Sequence, residues 1–211
     1  MQIKVCGMRE ADNIKNVANI QYISYLGFIF YPKSSRYVGA DWPKETLVSV
    51  PNAVQKVGVF VNESTENVIS ILQKYCLNIA QLHGEETPAQ CDQIRAAGFG
   101  VWKAFSLDNN FDFEQLAAYA PHVDCFVFDA KGAHYGGNGH TFDWQVLKKY
   151  KLNTPFLLSG GLNPDNFGQA VTQAATLPQM VGLDLNSGFE HSPALKNTEA
   201  LAAAFTTFSG Q

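Results

Sequence analysis

Five reactive side chains stand at or just after the ends of apolar, strand-like runs in this sequence. They are a thiol, an imidazole, two carboxylates and a guanidinium, which are groups that proteins use to transfer protons and to bind anions. The residues are Cys6, His83, Asp129, Asp184 and Arg36. If the runs form neighbouring parallel strands, these side chains converge on one face of the fold. The sequence therefore predicts a polar site at the carboxyl ends of the strands.

Each of the five residues also has a purely structural interpretation. Cys6 fits a small buried hydrophobe, and Asp129 fits a helix cap or a loop turn. Arg36 fits a solvated surface charge, His83 a structural histidine, and Asp184 a carboxylate that holds a loop. Their shared position after apolar runs favours the functional interpretation.

Glycine-rich loops follow the seventh and eighth apolar runs. Gly160 and Gly161 precede a helix start, and Asn186, Ser187 and Gly188 follow the eighth run. In a barrel of alternating strands and helices these two loops often bind phosphate through backbone N–H groups. We expect a phosphate site here, with ordinary turns as the alternative.

A long loop at 131–141 contains four glycines. Long loops in compact domains often act as lids over a site. We interpret the segment as a lid, with a disordered excursion as the alternative.

Apolar runs alternate with amphipathic segments along the whole chain. The eight predicted strands are 3–6, 22–30, 54–61, 78–83, 99–105, 124–129, 154–159 and 180–185. The eight predicted helices are 10–20, 43–50, 64–76, 87–97, 113–120, 143–150, 163–175 and 195–208. This order predicts parallel strands with the helices outside, and the count of eight favours a single (β/α)8 TIM barrel over residues 1–211. The alternative is a doubly wound open sheet, but the GxGxxG of a dinucleotide site is absent after the first strand.

The composition is that of a globular protein and excludes several classes. The chain is 46% hydrophobic and 16% charged, which argues against disorder. A net charge of −4 lacks the basic character expected of a nucleic-acid-binding protein. No apolar stretch reaches the roughly 18 residues of a membrane span.

The chain start and the cysteines suggest a reducing compartment. The first ten residues have no apolar core and no cleavage site of the kind found in secretory signals. The four cysteines form no CxxC pair and no zinc-like cluster with histidine. We expect a cytoplasmic protein with free thiols and no metal.

Seven sequence blocks together resemble the phosphoribosylanthranilate isomerase family of tryptophan biosynthesis. They occur in order from residue 4 to about residue 190, at every expected loop after a strand. The blocks are KVCGMR, GFIFYPKSSRYV, VGVFVNE, QLHGEE, FDAKGAHYGGNGHTFDW, LSGGLNPDN and GLDLNSGFE.

The resemblance implies an enzyme with a (β/α)8 barrel that rearranges a phosphosugar without a cofactor. It implies Cys6 as the general base, Asp129 as the general acid, and Arg36 as the residue that holds the anthranilate carboxylate. The glycine loops 160–161 and 186–188 match the family's phosphate-binding loops. His83 and Asp184 are further candidates for substrate binding. A monomer and a homodimer both remain open.

Two alternatives remain open at this point. The first is the related phosphoribosyl-formimino isomerase of histidine biosynthesis, which uses two aspartates and a substrate with two phosphates. The cysteine after the first strand argues against it. The second is a catalytically silent phosphosugar-binding barrel, against which the intact set of Cys6, Asp129 and Arg36 argues.

The alternation of side chains along a strand yields two structural predictions. If Asp129 points into the barrel, Cys125 and Val127 do so too, while Phe126 and Phe128 face the helices. If Cys6 faces inward, so does Lys4, and a buried lysine needs an acceptor. The eighth strand neighbours the first in a closed barrel, so we expect Asp184 to be the partner of Lys4.

Overall fold

The computed structural model of this chain describes residues 1–130 and 144–206, which form a closed barrel of eight parallel strands. Strands pair in chain order from β1 to β8, and β8 closes on β1. The eight strands are β1 Gln2–Val5, β2 Ile23–Ile29, β3 Gln55–Phe60, β4 Ile79–Leu82, β5 Gly100–Leu107, β6 Cys125–Ala130, β7 Phe156–Ser159 and β8 Met180–Leu185. Each corresponds to a predicted run, and the predicted TIM barrel is confirmed. The open doubly wound sheet is excluded.

Five α-helices cover the described part of the barrel. They are α1 Ala11–Ala18, α2 Thr65–Lys74, α3 Pro88–Ala96, α4 Pro164–Ala174 and α5 Thr198–Thr206. Ser64, Thr87 and Asn163 cap α2, α3 and α4, each accepting a hydrogen bond from a backbone N–H of the first turn. These helix starts follow the sequence signals for capping.

Three of the eight predicted helices are short 3₁₀ helices and not α-helices. The segments predicted at 43–50, 113–120 and 143–150 contain the 3₁₀ helices Lys44–Leu47, Phe113–Ala118 and Trp144–Lys149. These runs are only four or six residues long. At that length the i→i+3 bonds of a 3₁₀ helix satisfy the backbone more readily than a full α-turn. Pro51 and Pro121 also limit how far the first two could extend.

A short hairpin precedes the last helix and was not predicted. Its strands are β9 Glu190–Ser192 and β10 Leu195–Lys196, which pair antiparallel. The last helix therefore starts at Thr198 rather than at residue 195. The hairpin follows directly on a 3₁₀ turn at Ser187–Phe189.

The predicted alternation in β6 is confirmed. Cys125 and Val127 lie in the cluster that fills the barrel interior, together with Trp102 and Leu157. Phe126 and Phe128 belong to the larger apolar layer between strands and helices. Asp129 therefore continues the inward-facing series at the carboxyl end of the strand.

Among the described residues, no helix is long and apolar enough to cross a bilayer.

Candidate active site

Cys6 lies immediately after β1 and is buried at the carboxyl end of the barrel. Its backbone N–H donates to the Leu185 carbonyl at 2.8 Å, which ties it to the end of β8. Gly27 on β2 faces it, and a Cβ on that glycine would lie 2.8 Å from the Cys6 Sγ. Any larger residue at position 27 would occupy the space in front of the thiol. Burial raises the pKa of the Cys6 thiol, while the charges of Lys4 and Lys196 act in the opposite direction.

Lys4 and Asp184 form a buried ion pair inside the barrel, as strand alternation predicted. The Lys4 Nζ lies 2.8 Å from the Asp184 Oδ2, and the two residues are aligned in the β1–β8 register. Burial lowers the pKa of Lys4, but the charges of Asp184 and Cys6 outweigh it and leave the pKa above its usual value. Lys4 is therefore charged at neutral pH. Within the described residues, the other oxygen of Asp184, Oδ1, has no hydrogen-bond partner.

Asp129 and His83 meet on the other side of the barrel mouth. The His83 Nε2 lies 3.5 Å from the Asp129 Oδ2, and both side chains are about one-third exposed, at 29% and 34%. The His83 backbone N–H donates to the Phe60 carbonyl at 2.8 Å, which positions it directly after β4. The structure thus brings His83 next to the carboxylate of Asp129.

Arg36 is held by Glu190, a residue that sequence reasoning did not single out. The Arg36 Nε donates to both Glu190 oxygens at 2.9 and 3.0 Å, and Nη2 donates to Oε2 at 2.6 Å. One edge of the guanidinium is therefore occupied within the protein. The edge formed by Nη1 and Nη2 remains the one that can take a second carboxylate in the same plane.

Lys196 is the second residue that sequence reasoning missed. It is only 1% exposed. Its Nζ donates to the Asn186 Oδ1 at 2.8 Å and contacts the Glu190 Oε1. Asn13 on α1 holds the Lys196 backbone through both its N–H and its carbonyl, at 2.8 and 2.9 Å. In the sequence Lys196 falls inside the last predicted helix at 195–208, where it looks like an ordinary surface charge.

The carboxylate of Glu190 links the two cations. Burial raises the pKa of Glu190, but hydrogen bonds from Arg36 and Lys196 and their charges outweigh burial and place the pKa below its usual value. Glu190 is therefore ionised at neutral pH and fixes both side chains at the barrel mouth.

The two glycine loops lie against each other. Gly160 and Gly161 both have positive φ, at 89° and 65°. A Cβ on Gly188 would overlap the Leu162 carbonyl oxygen and lie 2.8 Å from the Asn163 Cβ. The loops after β7 and β8 thus form one continuous surface, next to the N-terminus of α4. The predicted lid at 131–141 lies outside the described residues.

A family model for N-(5′-phosphoribosyl)anthranilate isomerase matches residues 3–207. The chain belongs to this isomerase family. It is an enzyme of tryptophan biosynthesis, as the sequence resemblance predicted.

Individual phosphoribosylanthranilate isomerases match over nearly the full chain. The protein from Phocaeicola vulgatus is 44% identical over 201 residues, covering 95% of this chain and 94% of its own. A solved structure from Thermotoga maritima, described as mutually generated monomers of a dimeric isomerase, has a TM-score of 0.81 at 29% identity, covering 100% of both chains. A further isomerase structure, in complex with reduced 1-(o-carboxyphenylamino)-1-deoxyribulose 5-phosphate, has a TM-score of 0.81 at 28% identity, also with 100% coverage of both chains.

Proposed function

We propose that Cys6 is the general base and Asp129 the general acid of the isomerisation that this family member carries out. The observation that carries this assignment is their placement. Cys6 follows β1 and Asp129 lies in β6, both at the carboxyl end of the closed barrel, with β7 and β8 between them. A substrate in the barrel mouth meets one group on each side.

The substrate is N-(5-phosphoribosyl)anthranilate, and the product is 1-(2-carboxyphenylamino)-1-deoxyribulose 5-phosphate. Asp129 donates a proton to the ring oxygen as the bond from C1′ to that oxygen breaks, and the nitrogen lone pair forms the iminium. The Cys6 thiolate then takes the C2′ proton, and the electrons of that C–H bond form the enolamine. Tautomerisation yields the ketone. The iminium itself accepts the electrons, so the proposed chemistry needs no cofactor.

His83 and Asp184 complete the polar surface of the site. His83 contacts Asp129 and is positioned to orient that carboxyl group towards the sugar. In the part of the chain that the structure describes, the buried Asp184 Oδ1 has no hydrogen-bond partner, which suits a substrate hydroxyl. We assign both residues to substrate binding.

Turnover of phosphoribosylanthranilate tests the function directly. Consumption of the substrate is followed by the loss of its fluorescence, with the purified chain as the only enzyme present. Turnover supports the assignment. Binding of the substrate without turnover would identify a silent phosphosugar-binding barrel instead.

Replacement of Arg36 by methionine is expected to raise KM far more than it lowers kcat. The guanidinium binds the anthranilate carboxylate through its Nη1–Nη2 edge, and this carboxylate takes little part in the charge changes of the reaction. Loss of one charged hydrogen-bonding group corresponds to a KM increase on the order of tenfold or more. Steady-state kinetics with both constants resolved provide the measurement. An effect confined to kcat would contradict the assignment.

Replacement of Gly188 by alanine is expected to weaken phosphate binding about tenfold or more. The phosphate is expected to bind the backbone N–H groups of Gly161, Ser187 and Gly188, and the new Cβ would push the two loops apart. Competitive inhibition by inorganic phosphate measures the site, and its inhibition constant should rise together with KM. Gly168→Ala on α4 is the matched control, because among the described residues no atom beyond its chain neighbours and its own helix backbone lies within 4 Å of the added Cβ. Equal phosphate inhibition in both variants would place the anion site elsewhere.

We assign the chain to the cytoplasm as one catalytic domain acting on a phosphosugar, with no nucleic-acid or membrane partner. All four cysteines are free, as is usual in a reducing compartment. A monomer and a homodimer are both compatible with the fold.

A further inference from the structure

Two buried ammonium groups that the proposed mechanism does not use lie close to Cys6. Lys4 is fully buried, and Lys196 is only 1% exposed. Buried lysines are costly unless their charge is compensated. Lys4 is held by Asp184 and Lys196 by Glu190. Both ion pairs are formed by residues of the elements that surround the thiol. Their position at the candidate active site indicates a role in its chemistry as well as in stability.

The Lys4 ammonium faces the thiol directly. A Cβ on Gly27 would lie 2.8 Å from the Cys6 Sγ and 3.0 Å from the Lys4 Nζ. The sulfur and the ammonium therefore share the space that Gly27 leaves empty. The charge of Lys4 lowers the pKa of the Cys6 thiol and so favours its ionised form.

Charged groups of both signs surround the thiol and its two ion pairs. They are Lys4 on β1, Asp184 on β8, Lys196 on β10, Arg36 after β2, Glu190 on β9 and Asp129 on β6, with the His83 imidazole beside Asp129. Lys4 and Lys196 are the two cations among them whose charges lower the pKa of the Cys6 thiol.

We propose that Lys4 and Lys196 are positioning residues that favour the thiolate form of Cys6 for proton abstraction. Asp184 holds the Lys4 ammonium beside the sulfur, and Glu190 holds the Lys196 ammonium near Gly7, where an added Cβ would lie 3.4 Å from the Lys196 Nζ. This assignment rests on the proposed role of Cys6 as the base. Burial raises the pKa of the Cys6 thiol, and the two ammonium charges oppose that rise.

Titration of Cys6 tests the assignment without turnover. The ultraviolet absorbance of the thiolate is measured against pH. The same titration is recorded for each protein with Cys6→Ser added, and subtracting it removes the absorbance of the other three cysteines. Lys4→Met and Lys196→Met are each expected to raise the Cys6 midpoint by about one pH unit or more, the usual effect of losing a neighbouring opposite charge. Their kcat should also fall about tenfold and recover as the pH rises, which a merely structural defect would not produce.

Two further variants separate charge from folding. Lys4→Met leaves Asp184 buried without its partner, so the double variant Lys4→Met/Asp184→Leu removes both charges, and its Cys6 midpoint is still expected to rise. Lys103→Met is the matched control, since Lys103 is 1% exposed and its Nζ lies 3.3 Å from the Glu86 Oε2, outside the Cys6 cluster. It should destabilise the protein while leaving the Cys6 midpoint unchanged.

The outcomes distinguish this inference from the proposed function. An unchanged Cys6 midpoint in both Lys196→Met and the Lys4/Asp184 double variant would overturn the role of the lysines, whatever the activity. The same shift in Lys103→Met would also overturn it. Full activity in Cys6→Ser would instead overturn the role of Cys6 as the base, even if the lysines do shift its titration.

Discussion

Replacement of Cys6 by serine is expected to lower kcat at least about a hundredfold, because a positioned general base contributes roughly 10²–10⁴ to the rate. The hydroxyl has nearly the shape of the thiol but is barely ionised near neutral pH. It therefore cannot accept the C2′ proton. KM should change only a few-fold, since the serine occupies the same place in front of Gly27.

The matched control is Cys125→Ser in the same barrel. Cys125 is also buried and faces the barrel interior, but it lies at the start of β6, at the opposite end from the site. Its replacement should leave kcat within a few-fold of the parent. Near-ultraviolet circular dichroism checks that both variants keep their packing. A folded Cys6→Ser protein with the parent's kcat would contradict the mechanism.

Replacement of Asp129 by asparagine is expected to have an effect of similar size. The amide has the same shape as the carboxyl group and still lies next to His83. It cannot, however, donate an acidic proton to the ring oxygen. Loss of a general acid again lowers kcat by roughly 10²–10⁴. Steady-state kinetics should show KM altered only a few-fold.

Asp124→Asn is the matched control for Asp129→Asn, because both substitutions lie at or next to β6. Asp124 directly precedes β6, and its Oδ2 accepts the Val101 backbone N–H at 2.8 Å. The asparagine oxygen can keep this hydrogen bond, and the residue lies at the far end of the barrel from the site. If Asp124→Asn slowed turnover as much as Asp129→Asn does, the proposed role of Asp129 as an acid would be untenable.

Both substitutions together are expected to cost less than the product of their separate effects if the two groups act on one reaction coordinate. Residues that work as a unit in catalysis show strong non-additivity. Measuring the double variant therefore tests whether Cys6 and Asp129 act on the same substrate molecule.

Strand alternation allowed one long-range contact to be predicted from the sequence. In a closed barrel β8 must lie next to β1, and an inward-facing Cys6 requires an inward-facing Lys4. A buried ammonium then needs an acceptor on the neighbouring strand, which Asp184 provides at 2.8 Å. The contact joins residues 180 positions apart, yet it depends only on barrel closure and the two-residue period of a strand.

The helices were less predictable, and the reason is length. The capped segments after Ser64, Thr87 and Asn163 have both a helix start and enough residues for an α-helix. The segments at 43–50 and 113–120 have an apolar pattern but fewer residues between their prolines and the neighbouring strands. Local pattern cannot tell a short α-helix from a 3₁₀ turn, because the available length depends on how the chain meets the barrel.

The sequence alone determined the eight strands, the barrel they close into, and the reactive residues at their carboxyl ends. Those features follow from local periodicity and from the few ways in which alternating elements can pack. Only the tertiary structure revealed that Glu190 joins Arg36 to Lys196, and that the Lys196 ammonium lies close to Gly7, the residue after Cys6. The contact between Arg36 and Glu190 joins residues 154 positions apart. It depends on the β9–β10 hairpin, in which β10 has only two residues. Such a hairpin has too little local preference to be read from its residues, since it forms only where α1 and the barrel mouth hold it.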